Sequence, residues 1–272
     1  MNKIENYVGD CLQILKGVDS ETIDLVITSP PYADARKKQY SGPCADKYVE
    51  WFLPIAEEIK RVLKPTGTFI INIKEKVVSG ERHTYVLELI QAMRKKQWLW
   101  TEEWMWHKKN CFPGKWPNRF RDSWERCLQF NLQKKFKMNQ DSVRVPIGDW
   151  AEGRLKNLSK TDKQRDNSKS GSSFGKNVSN WVGKKLVYPT NVLHFATECG
   201  NKKHPAAFPK SLPVFFIKLF TDKDDLVLDS FEGGGTTGIA AVELGRNYIG
   251  IDLDEKYSAI AQERIKKHLE QL

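Results

Sequence analysis

Cysteine is scarce in this chain and never patterned. Cys11, Cys44, Cys111, Cys127 and Cys199 are scattered over 272 residues, odd in number and nowhere spaced as C-x-x-C. That excludes a disulfide framework and fits reduced thiols. His83, His107, His194, His204 and His268 lack ligand spacing beside Cys or Asp, so no metal site is expected. No apolar run approaches the roughly 20 residues that span a bilayer. Met1 to Glu5 carry no apolar signal-peptide core. These absences predict a cytoplasmic protein with no membrane partner. Internal repeats are missing as well.

What the chain has in excess is positive charge. Lys and Arg number 44 against 34 Asp and Glu, a formal net charge of +10. Such an excess favours a polyanionic partner, chiefly nucleic acid. Hydrophobic residues make up 40% and aromatics 11%, which is enough for a packed core.

Strands and helices alternate in the pattern. Ile23 to Thr28 reads as a buried strand that ends abruptly at Ser29-Pro30-Pro31, because two prolines block both ladder and helix. A helix is predicted from about Tyr48 to Leu63, with Trp51, Phe52, Ile55, Ile59 and Val62 on one face. Lys64-Pro65-Thr66-Gly67 should stop it, with a second buried strand at Thr68 to Asn72 and a helix across 84–96. The tryptophan-rich stretch 98–106 fits a strand, with Trp124 to Phe130 as its antiparallel partner. Beyond Phe208 the pattern predicts a helix at Lys210 to Phe220 and a strand at Asp225 to Asp229. A helix at Thr236 to Leu244, a strand at Asn247 to Asp252 and a helix at Glu255 to Leu269 follow. This order argues for a parallel α/β sheet covered on both faces. Between these halves the chain turns polar, and Ser168 to Ser173 reads as a flexible loop. Eleven basic residues fall between Arg154 and Lys203 against Asp162, Asp166 and Glu198. Such a stretch is either a solvated insertion or a basic arm along a nucleic-acid backbone.

Two motifs carry chemistry. The first is Asp229-Ser230-Phe231-Glu232-Gly233-Gly234-Gly235-Thr236-Thr237-Gly238, placed between a strand and a helix. Its glycines let the backbone turn sharply beside a ligand at a helix N-terminus. Gly233, Gly235 and Gly238 satisfy G-x-G-x-x-G, so a dinucleotide remains open as the ligand. No lysine follows, which excludes a Walker-type phosphate loop. Asp229 just before the turn would repel a pyrophosphate but suit the cationic S-adenosylmethionine. Asp252, at the end of the next strand, can accept from two ribose hydroxyls.

The second motif is Thr28-Ser29-Pro30-Pro31-Tyr32 at a strand end. An exocyclic amine is a poor nucleophile because its lone pair is delocalised into the ring. Ser29 Oγ and the rigidly held Pro30 carbonyl can accept from its two N–H groups and localise that pair. Pro31 stiffens the turn, and Tyr32 offers a flat face for an extruded base. Pro43-Cys44 matches the nucleophile dipeptide of ring-carbon cytosine methyltransferases, but no Glu-Asn-Val partner exists, and Cys44 is read as incidental.

Taken together, the chain resembles the β-group DNA amino-methyltransferases. In that family the catalytic Pro-Pro-Tyr motif comes first, a recognition region follows, and the adenosylmethionine turn comes last. The likeness covers residues 7–131 and 190–257. It implies a Rossmann-like α/β methyltransferase sheet of permuted motif order. Residues 1–131 and 196–272 would be its two halves, and 132–195 an inserted target-recognition region. It also implies that Asp10 contacts the cofactor adenine and that Lys210, in His204 to Lys210, helps hold the methionine moiety. Thr28, Phe231, Gly233, Gly235, Thr236 and Thr237 would complete the cofactor site with Asp229 and Asp252. Glu232 and Gly234 depart from the family's usual small residues.

Thr-Ser-Pro-Pro-Tyr is associated in that family with cytosine N4, and Arg36 to Tyr40 also resembles such members; adenine N6 is the runner-up. A nicotinamide-dependent oxidoreductase is the remoter alternative, and it leaves Ser29 to Tyr32 without a task. The expected partner is double-stranded DNA, with Arg36, Lys108, Lys109, Arg119 and Arg121 on its backbone. A companion restriction endonuclease, a monomeric or homodimeric state, and a prokaryotic or phage nucleoid setting complete the expectation.

Overall fold

The computed structural model describes residues 3–34, 42–149, 153, 155–159, 181–198 and 208–271. The strands used below are β1 (Ile4–Val8), β2 (Ile23–Thr28), β3 (Leu63–Ile73), β4 (Leu99–Lys108), β5 (Lys115–Trp116), β6 (Arg119–Phe120), β7 (Trp124–Asn131), β8 (Val192–Phe195), β9 (Leu226–Asp229) and β10 (Asn247–Asp252). The helices are α1 (Cys11–Leu15), α2 (Tyr48–Val62), α3 (Tyr85–Lys95), α4 (Ser211–Phe220), α5 (Thr236–Glu243) and α6 (Glu255–Leu269).

Eight strands form the central sheet in the order β1-β10-β9-β2-β3-β7-β4-β8. All run parallel except β7, which is antiparallel to both β3 and β4. All six residues of β2 are buried. A strand covered on both faces has no polar alternation, which is why it reads as mostly apolar, with Asp24 and Thr28 its only polar members. One face packs against α1, α2 and α3, where Tyr48, Phe52, Ile59, Leu89 and Trp98 meet Phe69 and Phe130. Residues of α4 lie against the other, with Trp104 edge-on to Phe215 and Phe216.

The predicted elements are present, most with ends moved by a residue or two and one with a larger shift. The sequence places the second buried strand at Thr68, but β3 begins at Leu63 and absorbs Lys64 to Gly67. Register explains this: Ile23 pairs with Leu63, whereas Leu25 pairs with Thr68, so residues 64–67 bulge out. Lys64 crosses the bulge to Asp24 at 2.8 Å. The short elements β1, α1 and β8 are additions to the expected list.

A separate compact unit spans Gln140–Thr190. Its described part includes a two-stranded pairing of Val145–Pro146 with Leu186–Val187. This unit is narrower than the 132–195 insert read from composition. Lys137 is tied to Asp225 (2.6 Å), and Asn139 Nδ2 donates to the Thr221 carbonyl (3.2 Å), so this flank joins the main unit. Ser168 to Ser173 lies outside the described residues.

The site follows from the strand order. From β2 the chain builds outward through β3, and from β9 it builds the opposite way through β10. The sheet therefore changes winding direction between β2 and β9, where open α/β sheets bind ligands beyond the strand carboxyl ends. Both sequence motifs sit at that edge.

Candidate active site

Thr28 and Asp229 end neighbouring strands, and their side chains join them. Thr28 Oγ1 donates to Asp229 Oδ1 at 2.7 Å, and Thr237 Oγ1 donates to Oδ2 at 2.6 Å. The Phe231 amide also donates to Oδ1, at 3.1 Å. Asp229 is only 1% exposed. Burial pushes its carboxyl up to about 6, against the pull of the Thr237 and Thr28 hydroxyls. Asp229 is thus a clasp between the end of β2 and the first turn of α5, with both oxygens committed inside the protein. Three donors occupy three of its roughly four lone-pair sites, which leaves one for the expected contact with a ligand amine.

The glycine turn needs its glycines. Gly235 has φ +73°, and a Cβ there would lie 2.8 Å from Ala261 Cβ and 2.9 Å from its Cα. Neither the conformation nor the space admits a side chain. Asp252, half-buried at the end of β10, accepts from the Gly233 amide at Oδ2 and the Asp254 amide at Oδ1, both at 2.8 Å. A carboxylate has about four lone-pair sites, so two remain for a ligand. Its carboxyl is raised by burial, opposed by those two amides. The Gly9 amide donates to the Asp252 carbonyl at 2.9 Å, which brings Asp10 to the same edge. Asp10 is exposed and caps α1 by accepting from the Gln13 amide. Phe231 stands over the turn, 5.8 Å from the Trp51 ring.

Beneath the turn lies an acid that sequence reasoning set aside. Glu232 is buried, accepts from Asn6 Nδ2 at 2.5 Å, and fits only because residue 250 is glycine. A Cβ on Gly250 would fall 2.3 Å from the Glu232 carboxyl. Burial first, and then the charges of Asp229 and Asp252, push Glu232 up to about 8 despite the Asn6 contact. In the unfolded chain it titrates near 4.5. Between those values the native state holds a proton that the unfolded state has released, so stability falls as pH rises through this window and levels off above it. Glu232→Gln keeps the Asn6 contact and removes the titration. Urea unfolding should therefore show similar stabilities near pH 5 and a more stable variant at pH 8, by at most about 5 kcal/mol. Parallel stability curves would refute the assignment.

On the other motif, Pro30 is buried while Ser29, Pro31 and Tyr32 are half-buried. Ser29 Oγ lies 3.5 Å from the Tyr32 hydroxyl. That hydroxyl donates to Glu125 Oε2 at 2.6 Å and stands 3.3 Å from Asn72 Oδ1. Burial, then the Glu125 charge, holds the Tyr32 phenol well above its usual range, so it stays a donor. Glu125, itself buried, is paired with Lys108.

The expected basic residues separate accordingly. Lys108 is not a surface cation: its ammonium is held by Glu125 and lies 5.0 Å above the Trp106 ring. Lys109 and Arg121 are exposed, and half-buried Arg119 stacks 5.2 Å from Trp116. Lys210 is not at the glycine turn either. It pairs with Glu243 at 2.7 Å, at the far end of α5 from Thr236. Arg36 and the stretch His204 to Ala207 lie outside the described residues. Asn72, Glu125 and Glu232 were missed, and their common signal is a polar side chain in an otherwise buried run.

A cationic nucleoside cofactor fits this edge. Its residues offer a carboxylate with free lone pairs, a bare glycine backbone and an aromatic ring. Among the described residues no basic side chain pairs with Asp229, Glu232 or Asp252 to balance a pyrophosphate.

A family model described as a DNA methylase matches residues 23–263. The Type II methyltransferase M.PvuII of Proteus hauseri is 32% identical, over 93% of this chain and 81% of that protein. M.SmaI of Serratia marcescens is 26% identical, over 95% and 89%. Among solved structures, PvuII DNA methyltransferase (cytosine-N4-specific) superposes with a TM-score of 0.71 at 24% identity, covering all of this chain and 93% of that one. The M1.HpyAVI–SAM complex gives a TM-score of 0.58 at 22% identity, over 96% and 99%.

Proposed function

The chain belongs to the N6/N4 DNA methylase family, and from that premise we propose that it methylates the exocyclic N4 of cytosine in duplex DNA. The observation that carries this is the clasp from Thr28 to Asp229, which seats Ser29-Pro30-Pro31-Tyr32 beside the glycine turn at one sheet edge. The serine in place of an acid, and the likeness to the solved PvuII DNA methyltransferase (cytosine-N4-specific), support cytosine over adenine.

S-adenosylmethionine, when bound, supplies the methyl group on a sulfonium. Asp252 would accept from the ribose hydroxyls with the lone pairs that the Gly233 and Asp254 amides leave free. Asp10 would contact the adenine, and Phe231 with the Gly233 to Thr237 turn would line the pocket. Ser29 Oγ and the Pro30 carbonyl accept from the target amine and turn its lone pair outward. Tyr32 supports the flipped base with its ring, held in place through its hydroxyl. Thr28 and Asp229 set the distance between the two halves.

The enzyme acts as a modification methyltransferase beside a companion restriction endonuclease, in the cytoplasm, as a monomer or homodimer. Lys109, Arg119 and Arg121 hold DNA phosphates, and Arg36 together with the 132–195 region supplies further contacts.

Mass spectrometry of nucleosides from DNA of an expressing host should reveal N4-methylcytosine. N6-methyladenine instead would transfer the assignment to the runner-up, and no methylated base would overturn both. Calorimetry should show binding of S-adenosylmethionine and none of NAD. Asp252→Ala should weaken the cofactor Kd by about tenfold, the worth of one charge-assisted hydrogen bond. An unchanged Kd would remove Asp252 from the site.

A further inference from the structure

Between β4 and β7 the chain makes a small hairpin, β5 paired with β6, closed by the Arg121 amide donating to the Gly114 carbonyl at 3.0 Å. Its place in the sheet matters. β4 runs parallel to the main strands and ends at Lys108, while β7 starts at Trp124 in the opposite direction. The hairpin therefore projects from the same carboxyl edge as Ser29 and Tyr32. Its base is the Lys108–Glu125 pair that holds the Tyr32 hydroxyl.

The hairpin keeps its aromatic side chains in water. Phe112 is 80% exposed, Phe120 82% and Trp116 55%. Three such rings on one short element form a surface that a partner covers. The charges beside them identify that partner. Lys115 and Arg121 are exposed and have no carboxylate partner among the described residues. Arg119 lies 5.2 Å from the Trp116 ring. The one acid of the hairpin, Asp122, is already neutralised by Lys74, Arg82 and Arg119. Burial opposes ionisation of Asp122, but Arg82 and Lys74, the latter just past the end of β3, hold its carboxyl below the usual range. Flat apolar rings interleaved with uncompensated cations match bases between phosphates, and not an acidic or apolar protein surface.

We propose that the hairpin of residues 109–123 is a wedge for duplex DNA. Phe112 and Phe120 stack against the bases beside the target position, and Lys115, Arg119 and Arg121 hold the flanking phosphates. This inference rests on the DNA methyltransferase function given above. Taking a base out of the helix leaves its neighbours and its former partner unstacked. Apolar side chains inserted at such a step replace the lost stacking. Base flipping requires that service close to the catalytic pocket, and the hairpin stands there.

The test is a Phe112→Ser/Phe120→Ser double variant, whose exposed positions leave the core intact; an unchanged Tm verifies this. Turnover is measured on a duplex carrying the mapped recognition site and on the same duplex with an abasic site opposite the target base. With the matched duplex the variant should be about tenfold slower than the unsubstituted enzyme. On the abasic duplex, where no partner base has to be abandoned, it should return to within about twofold. Affinity for S-adenosylmethionine should not change. Equal loss on both duplexes, or loss on neither, would overturn the wedge. If the unsubstituted enzyme methylates neither, the function itself fails and the wedge falls with it. As an independent arm, Lys115→Ala/Arg121→Ala should raise the DNA Kd and flatten its salt dependence. An unchanged salt slope would remove these two cations from the phosphates.

Discussion

Ser29→Ala is expected to lower kcat by about 10²-fold while leaving the Kd for S-adenosylmethionine within about twofold of the unsubstituted enzyme. The magnitude is that of removing one preorganised hydrogen-bonding group from a polar transition state. Ser29 is only half-buried, and its nearest polar neighbour is the Tyr32 hydroxyl at a long 3.5 Å. It therefore contributes little to the fold, and alanine leaves no buried partner stranded. None of the hydrogen bonds around Asp229 or Asp252 involves Ser29, so the cofactor side is insulated from the change. Single-turnover rates with DNA and calorimetry with cofactor separate the two effects. Equal loss of rate and of cofactor affinity would mean that the serine shapes the pocket and does not act on the target amine.

The motifs were legible because each is contiguous. Ser29 to Tyr32 and Asp229 to Gly238 carry their chemistry within a few residues, and a buried strand announces where each begins. Long amphipathic elements were legible for a related reason, as in α2, whose buried residues recur at helical spacing from Tyr48 to Val62. Short elements escaped. Helix α1 has five residues and β8 four, too few for a period to emerge, and β8 buries only Leu193.

Pairings across the fold escaped more completely. Tyr32 meets Glu125 across 93 positions, and Asn6 meets Glu232 across 226. Nothing local to either member marks such a pair. The same blindness misplaced two cations. Lys108 and Lys210 look like ligands of phosphate or cofactor, because charge in a sequence does not say whether a carboxylate is already waiting for it. The fold supplies Glu125 for one and Glu243 for the other. Lysines and arginines in a basic chain therefore need their partners counted before they are assigned to DNA. At this edge that count leaves Lys109, Lys115 and Arg121 unpaired among the described residues, and Arg119 in surplus because it shares Asp122 with Lys74 and Arg82.

Glu125→Ala is expected to cost nearly as much in kcat as loss of the serine, although Glu125 touches neither substrate nor cofactor in the proposed mechanism. It is a positioning residue. Its carboxylate takes the Tyr32 hydroxyl at 2.6 Å from β7, with Lys108 balancing its charge from β4. The phenol is thereby pinned between two strands and Asn72. Alanine would leave both the hydroxyl and the Lys108 ammonium without that acceptor, and the ring would be free to pivot. A displacement of about 1 Å in a group that orients the reacting base costs up to about 10²-fold in rate.

Glu125→Gln tells this role from mere structural support. Glutamine keeps an acceptor for Tyr32 but gives up the ion pair, so it should recover most of kcat while stability stays lowered. Loss of a buried partner from Lys108 makes both variants less stable, by a few kcal/mol. If Tyr32 is positioned through Glu125, then kcat follows the acceptor and Tm follows the charge, and the two substitutions separate these quantities. A glutamine variant as slow as the alanine variant would show that charge rather than geometry matters at this position. Unchanged kcat in both would release Tyr32 from Glu125 altogether.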